Sequence, residues 1–232
     1  HLIVMPDANV AMTASNVAAS MSGCAGQRCM AASAMVGVGP IDHIVEKLVE
    51  EAKKIVPGKN LGSVISKEAK ERIERYITEA EKLGAKVLVD GRNATVADKE
   101  GGFYVGPTVI DYVTPDMAIA KEEVFGPVIA ILRTDSLEEA MKIENSSNYG
   151  NAASVFTQNG SFARYVMEHA SAGMIGVNIG VPVPREPFSF GGWNESKFGT
   201  SDITGKSSIE FWTQLKKTSI KWNAEAKTNW MS

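Results

Sequence analysis

The chain has 232 residues, 44% of them apolar, enough for one large domain or two small ones around a packed core. Lys and Arg total 24 against 27 Asp and Glu; the net charge of -3 offers no footprint for nucleic acid or an anionic membrane surface, so a small-molecule partner is expected. Cys24 and Cys29 complete no zinc set or disulfide framework, and the apolar runs fall far short of the ~20 residues that span a bilayer, so a cytoplasmic location without a membrane segment is expected, or the mitochondrial matrix in a eukaryote.

Residue one opens directly onto the apolar run Leu2, Ile3, Val4 and Met5. Natural termini are usually exposed and polar, so a buried-type strand here predicts a preceding segment, and the chain reads as a fragment. A small-residue stretch to Ser22 is weakly helical and leads into a loop over 22–29. Ile41, Ile44, Val45, Leu48, Val49 and Ala52 recur at three and four, which predicts a helix over 41–56 ended by Pro57 and Gly58. Ser66 is a candidate N-cap for a second amphipathic helix reaching Leu83 and stopping at Gly84. Residues 85–89 read as a strand, 99–102 as a hairpin turn, 108–110 as a strand, 121–127 as a loop and 128–132 as a buried strand. A helix over 136–145, a strand over 153–156, a helix over 161–169 and a strand over 174–179 continue the rhythm. This alternation predicts an α/β fold whose largely parallel sheet is flanked by helices. Residues 181–204, rich in Pro, Gly, Ser and Phe, read as a long structured loop of the kind that carries function. Residues 209–215 and 218–222 alternate in polarity and predict one extended C-terminal strand, a candidate edge for pairing with another subunit.

Cys29 is the first candidate for chemistry. It follows Gly26, Gln27 and Arg28, so a glycine turn delivers it and a guanidinium beside it favours the thiolate. The alternative is a small buried hydrophobe in an Ala- and Met-rich stretch, and Cys24 reads as buried filler. A cysteine–histidine hydrolase needs a histidine base; the three available, His1, His43 and His169, read as cap, core or surface residues. No His, Asp or Glu pair has the spacing of a metal motif, and no G-x-G-x-x-G follows a strand. Composition and spacing therefore stop at an α/β domain with one notable cysteine.

Several separated segments then resemble one family, in order. Gly26, Gln27, Arg28, Cys29, Met30 and Ala31 resemble the active-site cysteine segment of aldehyde dehydrogenases, in the form typical of the CoA-acylating methylmalonate-semialdehyde branch. The run 121–128, with Glu122, Glu123, Phe125, Gly126 and Pro127, resembles the family's E-E-x-F-G-P-V loop. Residues 103–108, 148–151, 176–184 and 187–190 complete the series, and the resemblance covers essentially 2–222. It implies the catalytic domain of the aldehyde dehydrogenase fold over 1–205, a C-terminal oligomerisation strand and tail over 206–232, and a homo-oligomer, dimer or tetramer. It further implies Cys29 as the nucleophile, forming a thiohemiacetal and then a thioester. Glu123 would bind the nicotinamide-side ribose of NAD, Phe125 would pack near the nicotinamide, and Arg28 would contact the substrate carboxylate. The implied reaction is NAD-dependent oxidation of methylmalonate or malonate semialdehyde with acyl transfer to CoA and decarboxylation, giving propionyl-CoA or acetyl-CoA.

The general-base glutamate that separates hydrolytic members, the oxyanion-hole asparagine and the NAD-binding domain would all lie upstream of His1, so the chain alone is expected to be inactive. Ser22 stands where the family usually has an apolar residue, Cys24 where Ser or Ala is common, and the turn 57–63, with Ser63 in place of a common Pro, is short. Two alternatives stay open: a hydrolytic aldehyde dehydrogenase of broader specificity, and a truncated non-catalytic chain that only associates with full-length subunits.

Overall fold

The computed structural model describes residues 1–222. In chain order the elements are β1 (Leu2–Val4), α1 (Val10–Ser22), β2 (Ala34–Val38), α2 (Asp42–Lys53), α3 (Lys67–Lys82), β3 (Lys86–Val89), β4 (Thr108–Asp111) and α4 (Ala118–Lys121). They continue with β5 (Val128–Thr134), α5 (Leu137–Asn145), β6 (Tyr149–Gly150), β7 (Ala152–Phe156), α6 (Gly160–His169), β8 (Met174–Val177), β9 (Trp193–Asn194) and α7 (Gly205–Trp212). A seven-stranded sheet runs in the order β3-β4-β5-β2-β1-β7-β8, and β6 pairs with β9 separately. Only β3 is antiparallel to its neighbour in the large sheet; all its other pairs are parallel, as the strand–helix rhythm predicts.

Each central strand is covered on both faces, which is why these strands read as continuous apolar runs without alternation. Side chains nevertheless sort by the two-residue period. Leu2, Val4, Met35, Ile129 and Ile131 pack with Val17 and Met21 of α1 and Ile44 and Leu48 of α2. Ile3, Val36, Ala153 and Val155 face the other way, onto Ala140 and Met141 of α5 and Val166 of α6. Ala34, Ala130 and Leu132 share a third cluster with Ile73 and Ile77 of α3. Local signals fix where the helices start: the side chains of Asn9, Ser66, Ser136 and Asn159 each accept a backbone N–H from the first turn. Because β1, β2, β5 and β7 are parallel, the segments entering them, His1, 29–33, 125–127 and 151, converge on one edge of the sheet.

Three expectations need correction, and one strand had none. The C-terminal segment is not one strand: α7 occupies Gly205–Trp212, and 213–222 runs on with no strand partner among the described residues. Ile209 and Phe211 mimic a period of two, but Ile209 and Trp212 also fit a helical i, i+3 pair, and α7 has no buried residue to select either period. Residues 223–232 of the expected tail lie outside the described residues. The turn near Lys99 exists, with Gly102 N–H donating to Lys99 O at 2.9 Å, but it sits within the long 90–107 connection between β3 and β4 and closes no hairpin. Central strand β2 had no expectation at all, because Ala32, Ser33 and Ala34 blur its start into the preceding loop. Finally, Cys24 is exposed. No helix among the described residues is long and apolar enough to cross a membrane.

Candidate active site

The Cys29 segment begins where α1 is forced to stop. Cys24, Ala25 and Gly26 adopt φ of 52, 55 and 71°, three consecutive left-handed residues that break the helix and reverse the chain. At Gly26 the reversal also brings the backbone against the Gly126 carbonyl, where any side chain would collide. Ala31 N–H then donates to Arg28 O at 3.0 Å, closing a turn with Cys29 and Met30 at its corners. Met30 is buried and Cys29 exposed. Exposure removes the reading of Cys29 as core filler.

Side chains hold this turn from both sides. Gln27 Oε1 accepts Ile65 N–H at 2.9 Å, and its Nε2 donates to Cys24 O at 3.3 Å. The buried Ser20 hydroxyl accepts Ala32 N–H at 3.0 Å and donates to Gly180 O at 2.8 Å. Asn151 Nδ2 donates to Cys29 O at 2.9 Å. Arg28 folds back: its Nη2 donates to Ala19 O and Ser20 O, each at 3.2 Å, placing a cation on the negative end of α1.

The facing wall is the 122–127 loop, and α3 supports it. The Tyr76 hydroxyl donates to Glu122, and this hydrogen bond, with burial secondary, raises the phenol above its ordinary value of 10.0. Arg72 Nη2 donates to Val124 O at 3.3 Å, and Val124 is buried. Between these anchors Glu123 is left exposed, and Phe125 takes φ 50°, a left-handed conformation uncommon for an aromatic residue. Cys29, Arg28, Glu123, Phe125 and Asn151 all line one cavity of about 450 Å³ at the amino-terminal edge of the sheet. Glu144 lines it too; its buried carboxyl lies 2.6 Å from His1 Nδ1 without hydrogen-bond geometry, and burial pushes it above the ordinary carboxylate range.

The four site residues expected from the sequence thus come together. Two features of Arg28 bear on its expected substrate contact: one guanidinium nitrogen is committed to α1, and Nε is buried without a partner among the described residues. Ser20, Tyr76 and Arg72 had no role in the sequence reading, because each acts on a segment distant in the chain, and Gln27 entered it only within the 26–31 motif. Asn151 lay inside the 148–151 segment that carries the resemblance, which was the one available signal.

Residues 1–218 match the family described as the aldehyde dehydrogenase family. The chain belongs to that family. Among its relatives, a bovine (Bos taurus) mitochondrial methylmalonate-semialdehyde/malonate-semialdehyde dehydrogenase [acylating] is 44% identical over 231 residues, 97% of this chain and 43% of the relative. Malonate-semialdehyde dehydrogenase 2 of Geobacillus kaustophilus is 41% identical over 229 residues, 96% of this chain and 47% of that protein. The chain therefore spans less than half the length of these curated relatives. Of solved aldehyde dehydrogenase structures, methylmalonate-semialdehyde dehydrogenase from Oceanimonas doudoroffii superposes with a TM-score of 0.93 at 38% identity, covering 97% of this chain and 48% of that one. A protein from Sinorhizobium meliloti 1021, provisionally assigned the same activity and complexed with NAD, gives 0.93 at 38%, covering 98% and 48%.

Proposed function

We propose that this chain carries the catalytic portion of an NAD-dependent, CoA-acylating dehydrogenase of malonate-type semialdehydes, with Cys29 as nucleophile. The observation that carries the reading is the exposed Cys29 thiol facing Glu123 and Phe125 across one cavity. In the reaction, Cys29 sulfur bonds to the aldehyde carbon and the developing oxyanion takes a hydrogen bond from the Cys29 N–H. NAD, when bound, supplies the hydride acceptor. The Cys29 thioester then yields its acyl group to the thiolate of CoA, which restores the cysteine; decarboxylation of the malonyl-type group gives propionyl-CoA or acetyl-CoA.

The residues fit a nicotinamide nucleotide. Glu123 is an exposed carboxylate on the cavity wall, an acceptor suited to a pair of ribose hydroxyls, and Phe125 offers an aromatic ring beside it. Arg28 is the guanidinium on the same cavity, the group suited to a substrate carboxylate. Acylation of CoA and the malonate-type substrate draw their support from the printed names of the relatives. The exposed apolar side chains of Trp212, Leu215, Ile220 and Trp222 support a homo-oligomer in which 206–222 packs on another polypeptide.

The test is NADH formation from malonate or methylmalonate semialdehyde, with and without CoA. It compares this chain, a longer polypeptide in which a cofactor domain precedes His1, and that polypeptide with Cys29→Ala. CoA-dependent turnover by the longer form that Cys29→Ala abolishes is the expected result. Turnover that ignores CoA overturns the acylating assignment and favours hydrolysis, and turnover surviving Cys29→Ala overturns the nucleophile.

A further inference from the structure

The turn that presents Cys29 has an ambiguity that its own sequence resolves only in part. In a four-residue turn from Arg28 to Ala31, the central peptide joins Cys29 to Met30, and its carbonyl is Cys29 O. The two common turn types differ by a flip of that peptide, a change that rotates ψ of the first corner residue by about 150°. Here the first corner is Cys29, so the carbonyl that would rotate belongs to the residue that carries the thiol. Met30 has no left-handed backbone, which excludes the flipped form in the structure. One side chain takes hold of the flipping group itself: Asn151 Nδ2 on Cys29 O at 2.9 Å, across 122 positions of sequence.

Asn151 is itself held. It lies between β6 and β7, and β6 pairs with β9, Gly150 opposite Trp193. Gly150 N–H donates to the Ser196 hydroxyl at 3.2 Å, Glu195 N–H donates to Asn148 O at 3.0 Å, and Gly173 N–H donates to Gly150 O at 2.9 Å. Gly192 passes so close that an added methyl would lie 3.0 Å from Asn151 Cα and 3.2 Å from its amide oxygen. The same 190–198 segment places Phe190, Glu195, Ser196 and Phe198 on the cavity wall. A single brace thus runs from the cavity rim through β9 and β6 to Asn151 and onto the carbonyl of the nucleophile.

We propose that Asn151 is a positioning residue that anchors the Cys29 carbonyl to the β6–β9 brace, and so holds in place the Cys29 backbone from which the thiol and the Cys29 N–H project. The inference rests on the reading of Cys29 as nucleophile and goes beyond it. An amide is required because the group must donate to a carbonyl while filling a small, braced space. A carboxylate of the same shape cannot donate and places negative charge against the carbonyl oxygen. The lock serves attack on a carbonyl, where angle and oxyanion donor both matter, more than simple displacement on a freely diffusing reagent.

The test uses this chain with Cys24→Ser, so that Cys29 is its one thiol. Two reactions are timed. With p-nitrophenyl acetate, Cys29 sulfur bonds to the acyl carbon and p-nitrophenolate leaves; with iodoacetamide, sulfur bonds to the methylene carbon and iodide leaves. We expect Asn151→Asp and Asn151→Ala to slow acylation about 10-fold, while alkylation stays within about threefold and Asn151→Gln, which keeps a donor, recovers part of the acylation rate. Acylation unchanged in both Asn151→Asp and Asn151→Ala overturns the proposal, as does an equal slowing of both reactions, which would mark a merely structural effect. Cys29→Ala in the same background separates the two readings. If p-nitrophenolate release survives it, the nucleophile assignment falls; if release needs Cys29 and ignores Asn151, only the positioning role falls.

Discussion

At the scale of single residues, Cys29 depends on neighbours chosen for shape as much as for chemistry. Gly26 holds φ at 71° directly under the Gly126 carbonyl, so the Cys29 turn and the facing loop touch through bare backbone. Gly26→Ala adds both left-handed strain and a clash with a rigid carbonyl, and should cost at least about 2 kcal/mol. Urea unfolding would measure this, and a change under 0.5 kcal/mol would show that the loop relaxes freely. Arg28 illustrates how a residue type underdetermines a role. Its place beside the thiol is plain in the sequence, while its hydrogen bonds to Ala19 O and Ser20 O depend on where α1 ends. Asn151 makes the same point more strongly: nothing local ties it to Cys29, and the contact exists because β7 and the strand following the Cys29 turn, β2, flank β1 in the sheet.

Among the elements, α3 does the most to hold the 122–127 wall of the cavity. Ile73 and Ile77 bury it against the sheet, its Ile73 side chain also packs at Gly126, and its exposed flank reaches the 122–127 loop through Arg72 and Tyr76. The Tyr76 bond carries a pH dependence whose sign follows from the raised phenol. Its contribution is complete below pH 10.0, the ordinary tyrosine value, and disappears as pH rises through the higher folded-state value. Tyr76→Phe should therefore remove a small contribution, about 1 kcal/mol or less for a solvent-accessible bond, and flatten the alkaline limb of stability. Thermal melts of both forms between neutral and alkaline pH would check it, and parallel pH profiles would exclude the bond as their cause. The elements that were legible in sequence share a physical trait. α2, α3 and α5 each couple a burial stripe of period 3.6 to a local stop or cap signal, whereas β2 hides in a run of small residues and α7 fully buries none of its residues.

On the scale of the whole molecule, the central strands are covered on both faces, yet the C-terminal segment leaves Trp212, Leu215, Ile220 and Trp222 exposed in succession. Burial of such side chains stabilises an interface by roughly 1.5–3 kcal/mol each. The chain should therefore associate at micromolar concentration, and the pair Trp212→Asp with Leu215→Asp should shift it toward monomer. Sedimentation at several concentrations reads this directly; a monomer before substitution would remove the oligomer from the proposal. By itself the sequence determined the α/β class, the parallel sheet, most helix starts and the membership of Cys29, Glu123 and Phe125 in family segments, because these rest on periodicity, caps and contiguous motifs. Only the tertiary structure decided that Cys29 is exposed, that Arg28 caps α1, that Asn151 grips the Cys29 carbonyl and that 205–212 is helical. Such facts depend on contacts between distant segments, or on the absence of any buried face, and neither leaves a periodic trace along the chain.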